Sequence, residues 1–117
     1  MGKARLLVVE DDIDVGHLLK YYFSSIGYDV DLAIDGLDAL EKVRQALPNV
    51  VILDIMLPNV DGYDVCRSLR TNIQTSHIPV IFITQKEERA DKLQGLELGA
   101  DDYIIKPFDI EELKLRV

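Results

Sequence analysis

The chain has 117 residues, 48% of them hydrophobic and 29% charged, which suits one globular domain with a sizeable core and excludes a disordered or membrane-embedded chain. Thirteen Lys and Arg against 21 Asp and Glu leave a formal charge of -8, so this segment repels a polyanionic backbone and is not expected to bind nucleic acid directly. A single cysteine, Cys66, excludes an internal disulfide and a thiolate metal cluster, which fits a reducing, cytoplasmic compartment.

In chain order, Leu6-Leu7-Val8-Val9 is an unbroken apolar run, too short for a signal-peptide core or a membrane span, and Glu10-Asp11-Asp12 follows it. Val15, Leu18, Leu19, Tyr22, Phe23 and Ile26 form an apolar stripe at helical spacing, with Gly27 as its stop. Tyr28 to Ala33 predicts a second strand. Leu37, Leu40, Val43 and Leu47 predict a second helix before Pro48, and Val50-Val51-Ile52-Leu53 predicts a third strand ending at Asp54. Asp61-Gly62 ends the loop after Asp54 and opens a third helix with the stripe Val65, Cys66, Leu69 and Ile73, closed before Pro79. Val80-Ile81-Phe82-Ile83 then leads to Thr84, the stripe Ala90, Leu93 and Leu96 to Gly99, and Tyr103-Ile104-Ile105 to Lys106. Asp109 and Glu112 read as a capping-box variant opening a last helix through Leu113, Leu115 and Val117 with no stop signal, so the chain is expected to be cut mid-helix from a longer protein.

Five alternations of strand and helix imply an α/β fold: a doubly wound, five-stranded parallel sheet with five helices and right-handed crossovers. The first, third and fourth strands are apolar throughout and are expected to be covered on both faces, with the second and fifth nearer the edges. Sheets of this kind place their sites at the carboxyl ends of the strands.

At those ends stand Glu10-Asp11-Asp12, Asp54, Thr84 and Lys106. Alone, each has an ordinary explanation: an Asp after a strand is most often a helix cap, a Thr structural, a Lys solvated. Together they describe a site. Clustered carboxylates repel and need protonation or a cation, and an all-oxygen set favours Mg²⁺, which commonly bridges carboxylates to a phosphoryl group. Asp54 is then the nucleophile, Thr84 a hydroxyl donor and Lys106 a point charge for a phosphoryl oxygen.

Val8-Val9-Glu10-Asp11-Asp12, Asp54-Ile55-Met56-Leu57-Pro58, Ile83-Thr84 and Lys106-Pro107-Phe108 jointly resemble the receiver domains of two-component response regulators, over essentially the whole chain, residues 1–117. The resemblance implies a flavodoxin-like (CheY-like) fold with strand order 2-1-3-4-5. It also implies Mg²⁺ as cofactor, a sensor histidine kinase as partner and Asp54 as phosphoacceptor. By position, Asp11 matches the direct Mg²⁺ ligand, Glu10 a ligand acting through water, and Met56 a ligand through its backbone carbonyl. Thr84 matches the switch hydroxyl, Lys106 the family lysine and Tyr103 the aromatic that swings inward. Glu10 stands where many members carry Asp, and Asp12 is a third carboxylate that either joins the site or caps the first helix. Met56 and Gln85 occupy positions that govern water access.

Two charge-assisted hydrogen bonds, from Thr84 and Lys106, are worth roughly 1.5–3 kcal/mol each, against about 5.5 kcal/mol to invert a poised equilibrium. A phosphoryl group can therefore nearly invert a switch read out on the fourth helix, fifth strand and fifth helix. There Lys92, Glu97, Asp101, Asp102, Glu112 and Arg116 resemble the dimer face of the subfamily that controls winged-helix transcription factors (OmpR/PhoB type). A phosphorylation-enhanced homodimer, a transcriptional output and self-catalysed phosphorylation, rather than an enzyme acting on other substrates, are expected. An aspartyl-phosphate hydrolase would need an acid at position 56, where Met56 stands; a flavin binder would be repelled by Glu10-Asp11-Asp12; a phosphorylation-independent binding module would not need so complete a site. Cys66 is expected in the core, and His17 and His77 on the surface.

Overall fold

The computed structural model describes residues 3–55, 57–58, 60–84, 102–105 and 110–117. They form β1 (Arg5–Val9), α1 (Ile13–Ser25), β2 (Asp29–Ala33), α2 (Gly36–Gln45), β3 (Val50–Asp54), α3 (Gly62–Thr71), β4 (Val80–Thr84), β5 (Asp102–Ile105) and a C-terminal helix, Ile110–Arg116. All pairings are parallel and the strand order is β2-β1-β3-β4-β5. The expected helix around Ala90, Leu93 and Leu96 lies outside the described residues, as does the Asp109 cap.

Alternation along the central strands sorts the core into two layers. Leu7, Val9, Val51, Leu53, Val80 and Phe82 pack with α2 and α3, while Leu6, Val8, Val50, Ile52, Ile81 and Ile83 pack with α1 and with Leu113 of the C-terminal helix. Every residue of β3 is buried, whereas β2 alternates between exposed and buried as an edge strand does. Cys66 is fully buried, and His17 and His77 are exposed.

Local chemistry fixes the helix ends. The Asp12 carboxylate accepts from the Asp14 and Val15 amides (3.0 and 3.3 Å), Asp35 from Asp38 (2.8 Å) and Asp61 from Asp64 (2.9 Å), each satisfying a donor the first turn leaves free. At the other end of α1, Gly27 adopts φ 108°, its N–H donates to the Ser24 carbonyl (3.2 Å) and the Tyr28 N–H donates to the Phe23 carbonyl (3.0 Å). The Tyr28 ring then packs edge-on against Phe23, the apolar contact that accompanies such a stop.

Leu18, Ile26, Leu37, Leu47 and Ile73, expected on buried stripes, are exposed, Ile73 to 88%. α1 approaches the sheet through Gly16, beside Leu32, and α2 through Ala39, while Gly36 faces Val60 in the segment after β3; small residues at these contacts leave the flanking Leu and Ile positions on the rim. Ile73 lies beyond α3, which stops because Asn72 turns extended and the buried Thr75 hydroxyl donates to the Leu69 carbonyl (2.6 Å). Tyr63, absent from the expected stripe, is buried edge-on against Phe82 with ring centroids 5.4 Å apart.

Candidate functional site

Sheet register brings the expected positions to one edge. Val9 pairs with Leu53, so Glu10 follows β1 level with Asp54; Asp54 pairs with Ile83, and Thr84 with Ile105. The backbones of residues 10, 54, 84 and 105 therefore meet at the carboxyl rim, and β2 ends there without a reactive group.

Glu10 and Asp54 are 4% and 3% exposed, while Asp11 is open to solvent. One carboxylate oxygen from each of these residues lies within 4.8 Å of the others. Glu10 is held at both ends: its N–H donates to the Ala33 carbonyl (2.9 Å) and its Oε1 accepts from the Asp12 N–H (3.2 Å). Asp12 spends its own carboxylate on the α1 cap, which decides its role as structural and leaves the cluster to Glu10, Asp11 and Asp54.

Two unit charges 4.8 Å apart repel by roughly 3.5 kcal/mol at an effective dielectric near 20, a cost that falls mainly on the buried pair and that a cation would reverse. The donor set fits a hard divalent ion. With oxygens at about 2.1 Å, octahedral coordination places neighbouring ligands about 3 Å apart and opposite ones about 4.2 Å apart. Three oxygens within 4.8 Å therefore close on such an ion after a small rotation or with one member acting through water, and solvent-facing Asp11 leaves an approach open.

The segment after Asp54 is braced by Gly62. A Cβ placed there would overlap the Asp54 carbonyl oxygen and lie 2.7 Å from the Ile55 Cα, and the Gly62 N–H donates to the Ile55 carbonyl (3.0 Å). Sequence reasoning assigned Asp61-Gly62 only to the start of α3. The first turn of that helix in fact rests on the backbone of Asp54, a contact that no local pattern announces.

At Thr84, Tyr103 and Asp102 the described feature is the strand backbone, and Glu112 and Arg116 lie on the C-terminal helix. Met56, Gln85, Lys92, Glu97, Asp101 and Lys106 lie outside the described residues. Among the described residues no helix is long and apolar enough to cross a membrane.

A doubly wound parallel sheet carrying three convergent carboxylates at its carboxyl rim defines the class: a CheY-like α/β domain with an acidic site able to hold a cation. Residues 6–117 match the response regulator receiver domain family, and the chain belongs to it. It is 45% identical over 113 residues to the alkaline phosphatase synthesis transcriptional regulatory protein PhoP of Bacillus subtilis, covering 97% of this chain and 46% of that protein. It is 43% identical over 113 residues to the response regulator ArlR of Staphylococcus saprophyticus, covering 97% and 50%. The BeF3-activated N-terminal receiver domain of Klebsiella pneumoniae RstA superposes with a TM-score of 0.87 at 36% identity, covering 96% of this chain and 93% of that one. The chain spans about half the length of the curated relatives it matches, 44% to 50%. It is thus a receiver domain of a two-component response regulator, homologous to transcriptional regulators.

Proposed function

We propose that Asp54 accepts a phosphoryl group from a sensor histidine kinase or a small acyl phosphate, in a reaction that requires Mg²⁺. The observation that carries this reading is the meeting of Glu10, Asp11 and Asp54 oxygens within 4.8 Å at the carboxyl rim. Asp11 and Asp54 would hold the ion directly, Glu10 through water, and Met56 through its backbone carbonyl. Bound there, Mg²⁺ supplies positive charge to the phosphoryl oxygens as they pass through in-line transfer.

The residues of the chain perform the rest. An Asp54 oxygen attacks phosphorus, the bond from phosphorus to the donor nitrogen or oxygen breaks, and its electron pair leaves with the donor, so that an acyl phosphate forms on residue 54. Lys106 pairs with a phosphoryl oxygen and the Thr84 hydroxyl donates to another, drawing β4 toward the site and making room for Tyr103. The face that includes Lys92, Glu97, Asp101, Asp102, Glu112 and Arg116 then favours a symmetric homodimer. Transcription is the output, a reading supported by relatives named as transcriptional regulators. Cys66, the single cysteine of the chain and buried, fits a cytoplasmic setting.

Incubation with acetyl phosphate and Mg²⁺, followed by intact-mass measurement, tests the reading. One added phosphoryl group should appear, and it should be lost in EDTA and in Asp54→Asn. Undiminished labelling of Asp54→Asn would remove the proposed acceptor.

A further inference from the structure

We propose that Gly36, on a helix that contributes no group to the site, is a positioning residue for it. Lacking a side chain, it lets the backbone of Val60 seat against the first turn of α2 and so fixes the segment that follows Asp54. The inference rests on the site reading above.

A Cβ placed at Gly36 would stand 2.6 Å from the Val60 carbonyl oxygen, 2.9 Å from its Cβ and 3.0 Å from its Cγ1. The nearest of these atoms belongs to the backbone, so no rotamer change relieves the overlap; one of the two segments must move. α2 is the fixed side. Its first turn is capped by Asp35 (2.8 Å to the Asp38 N–H), and the Asp38 carboxylate also accepts from the Ile34 N–H (3.2 Å) and from Lys42 (3.1 Å). The same corner carries the other half of the site, because the Glu10 N–H donates to Ala33 at the end of β2 (2.9 Å).

On the other side, the Leu57 and Gly62 N–H groups both donate to the Ile55 carbonyl (3.0 Å each), and the Val60 N–H donates to the Pro58 carbonyl (2.8 Å). These bonds tie the described residues Ile55, Leu57, Pro58, Val60 and Gly62 into a strut whose far end, Gly62, lies against the Asp54 backbone so closely that a Cβ there would overlap it. A displacement of Val60 is thus passed toward Asp54. Restoring ordinary contact at 3.4 Å needs a retreat of about 0.8 Å, several times the roughly 0.2 Å tolerance of a metal–ligand distance. The β2–α2 corner therefore sets the spacing between the Glu10–Asp11 side of the site and the Asp54 side. Gly16 provides the contrast: a Cβ there would meet only the Leu32 side chain, at 3.7 Å, an ordinary contact.

The test is a Mg²⁺ titration of the full chain followed by backbone amide shifts of Glu10, Asp11 and Ile55, with melting in EDTA and acetyl phosphate labelling measured in parallel. Gly36→Ala should need about ten-fold more Mg²⁺ for half-saturation, the effect expected when a supporting contact behind a ligand is disturbed. Gly16→Ala should stay within about two-fold of the natural chain, since it alters helix propensity and no backbone contact. Adding Val60→Gly to Gly36→Ala leaves the 2.6 Å overlap with the residue 60 carbonyl in place and should not restore the natural Mg²⁺ requirement. Should Gly36→Ala fail to fold, Val60→Gly alone takes its place. It frees the strut from its seat and should raise the Mg²⁺ requirement about three-fold.

A Gly36→Ala chain, or in its place a Val60→Gly chain, that melts lower yet half-saturates at the natural Mg²⁺ concentration would overturn the proposal, because the contact would then serve folding alone. Failure of the natural chain to take a phosphoryl group on Asp54 would instead sink the proposed function. The two failures are read on different signals.

Discussion

Replacing Asp11 by Asn should raise stability in the absence of divalent ion and lose most of that advantage when the ion is bound. Asp11 faces solvent, whereas Glu10 and Asp54 are 4% and 3% exposed, and the three contribute oxygens within 4.8 Å of one another. At that separation two charges repel by roughly 0.9 kcal/mol in bulk water and roughly 3.5 kcal/mol at an effective dielectric of 20. Screening at the exposed Asp11 holds its summed repulsion with both partners to about 1–2 kcal/mol. Asn has nearly the same shape, so the substitution removes that repulsion and little else. In EDTA the variant should melt about 3–10 °C above the natural chain. Mg²⁺ at about 100 times its dissociation constant stabilises the natural chain by about 2.7 kcal/mol, and a ten-fold loss of affinity removes about 1.4 kcal/mol of that gain. Thermal unfolding by circular dichroism across Mg²⁺ concentrations reads both effects. A variant that melts below the natural chain in EDTA, or that gains as much from Mg²⁺, would refute the electrostatic account.

Asp12→Ala should lose about 0.5–2 kcal/mol of stability through the α1 cap while leaving the Mg²⁺ requirement for labelling unchanged; a raised requirement would return Asp12 to the site. Gly62→Ala should lower stability by about 1–3 kcal/mol despite a better helix former, because the added methyl meets the Asp54 and Ile55 backbone; an unchanged melting temperature would contradict this. Phe23→Ala, which empties a fully buried position between Tyr22 and Tyr28, should cost about 3–5 kcal/mol in denaturant titration, and a loss under about 1 kcal/mol would show that the α1 face is not core. Native Cys66 should resist a thiol reagent until the chain unfolds; fast labelling of the folded protein would contradict its burial.

The strands were legible because a two-face-covered strand writes itself as an unbroken apolar run, and Leu6 to Val9, Val50 to Leu53 and Val80 to Ile83 all do. The order of the acidic residues was legible too, since a parallel sheet returns every carboxyl end to one rim. The packing of the helices was less so. A hydrophobic stripe scores Leu37 and Leu18 as interior and passes over Gly36 and Gly16, yet the glycines are buried, Gly16 against Leu32 and Gly36 against Val60, and the leucines face solvent. Hydrophobicity records what a side chain prefers, and close helix approach depends on what it lacks. The bracing of Asp54 by Gly62 was hidden for the same reason, being a contact between backbones. The role of Asp12 was open in sequence, where a cap and a ligand look alike, and two amide hydrogen bonds decide it.

The account stands on residue 54 becoming an acyl phosphate beside the Glu10–Asp11 carboxylates. Borohydride reduction of the acetyl phosphate-treated protein, followed by peptide sequencing in a mass spectrometer, reads that bond directly. Homoserine in place of Asp54, formed only when Mg²⁺ was present, is the predicted result. Homoserine at another aspartate, or none anywhere after treatment with Mg²⁺, would contradict it.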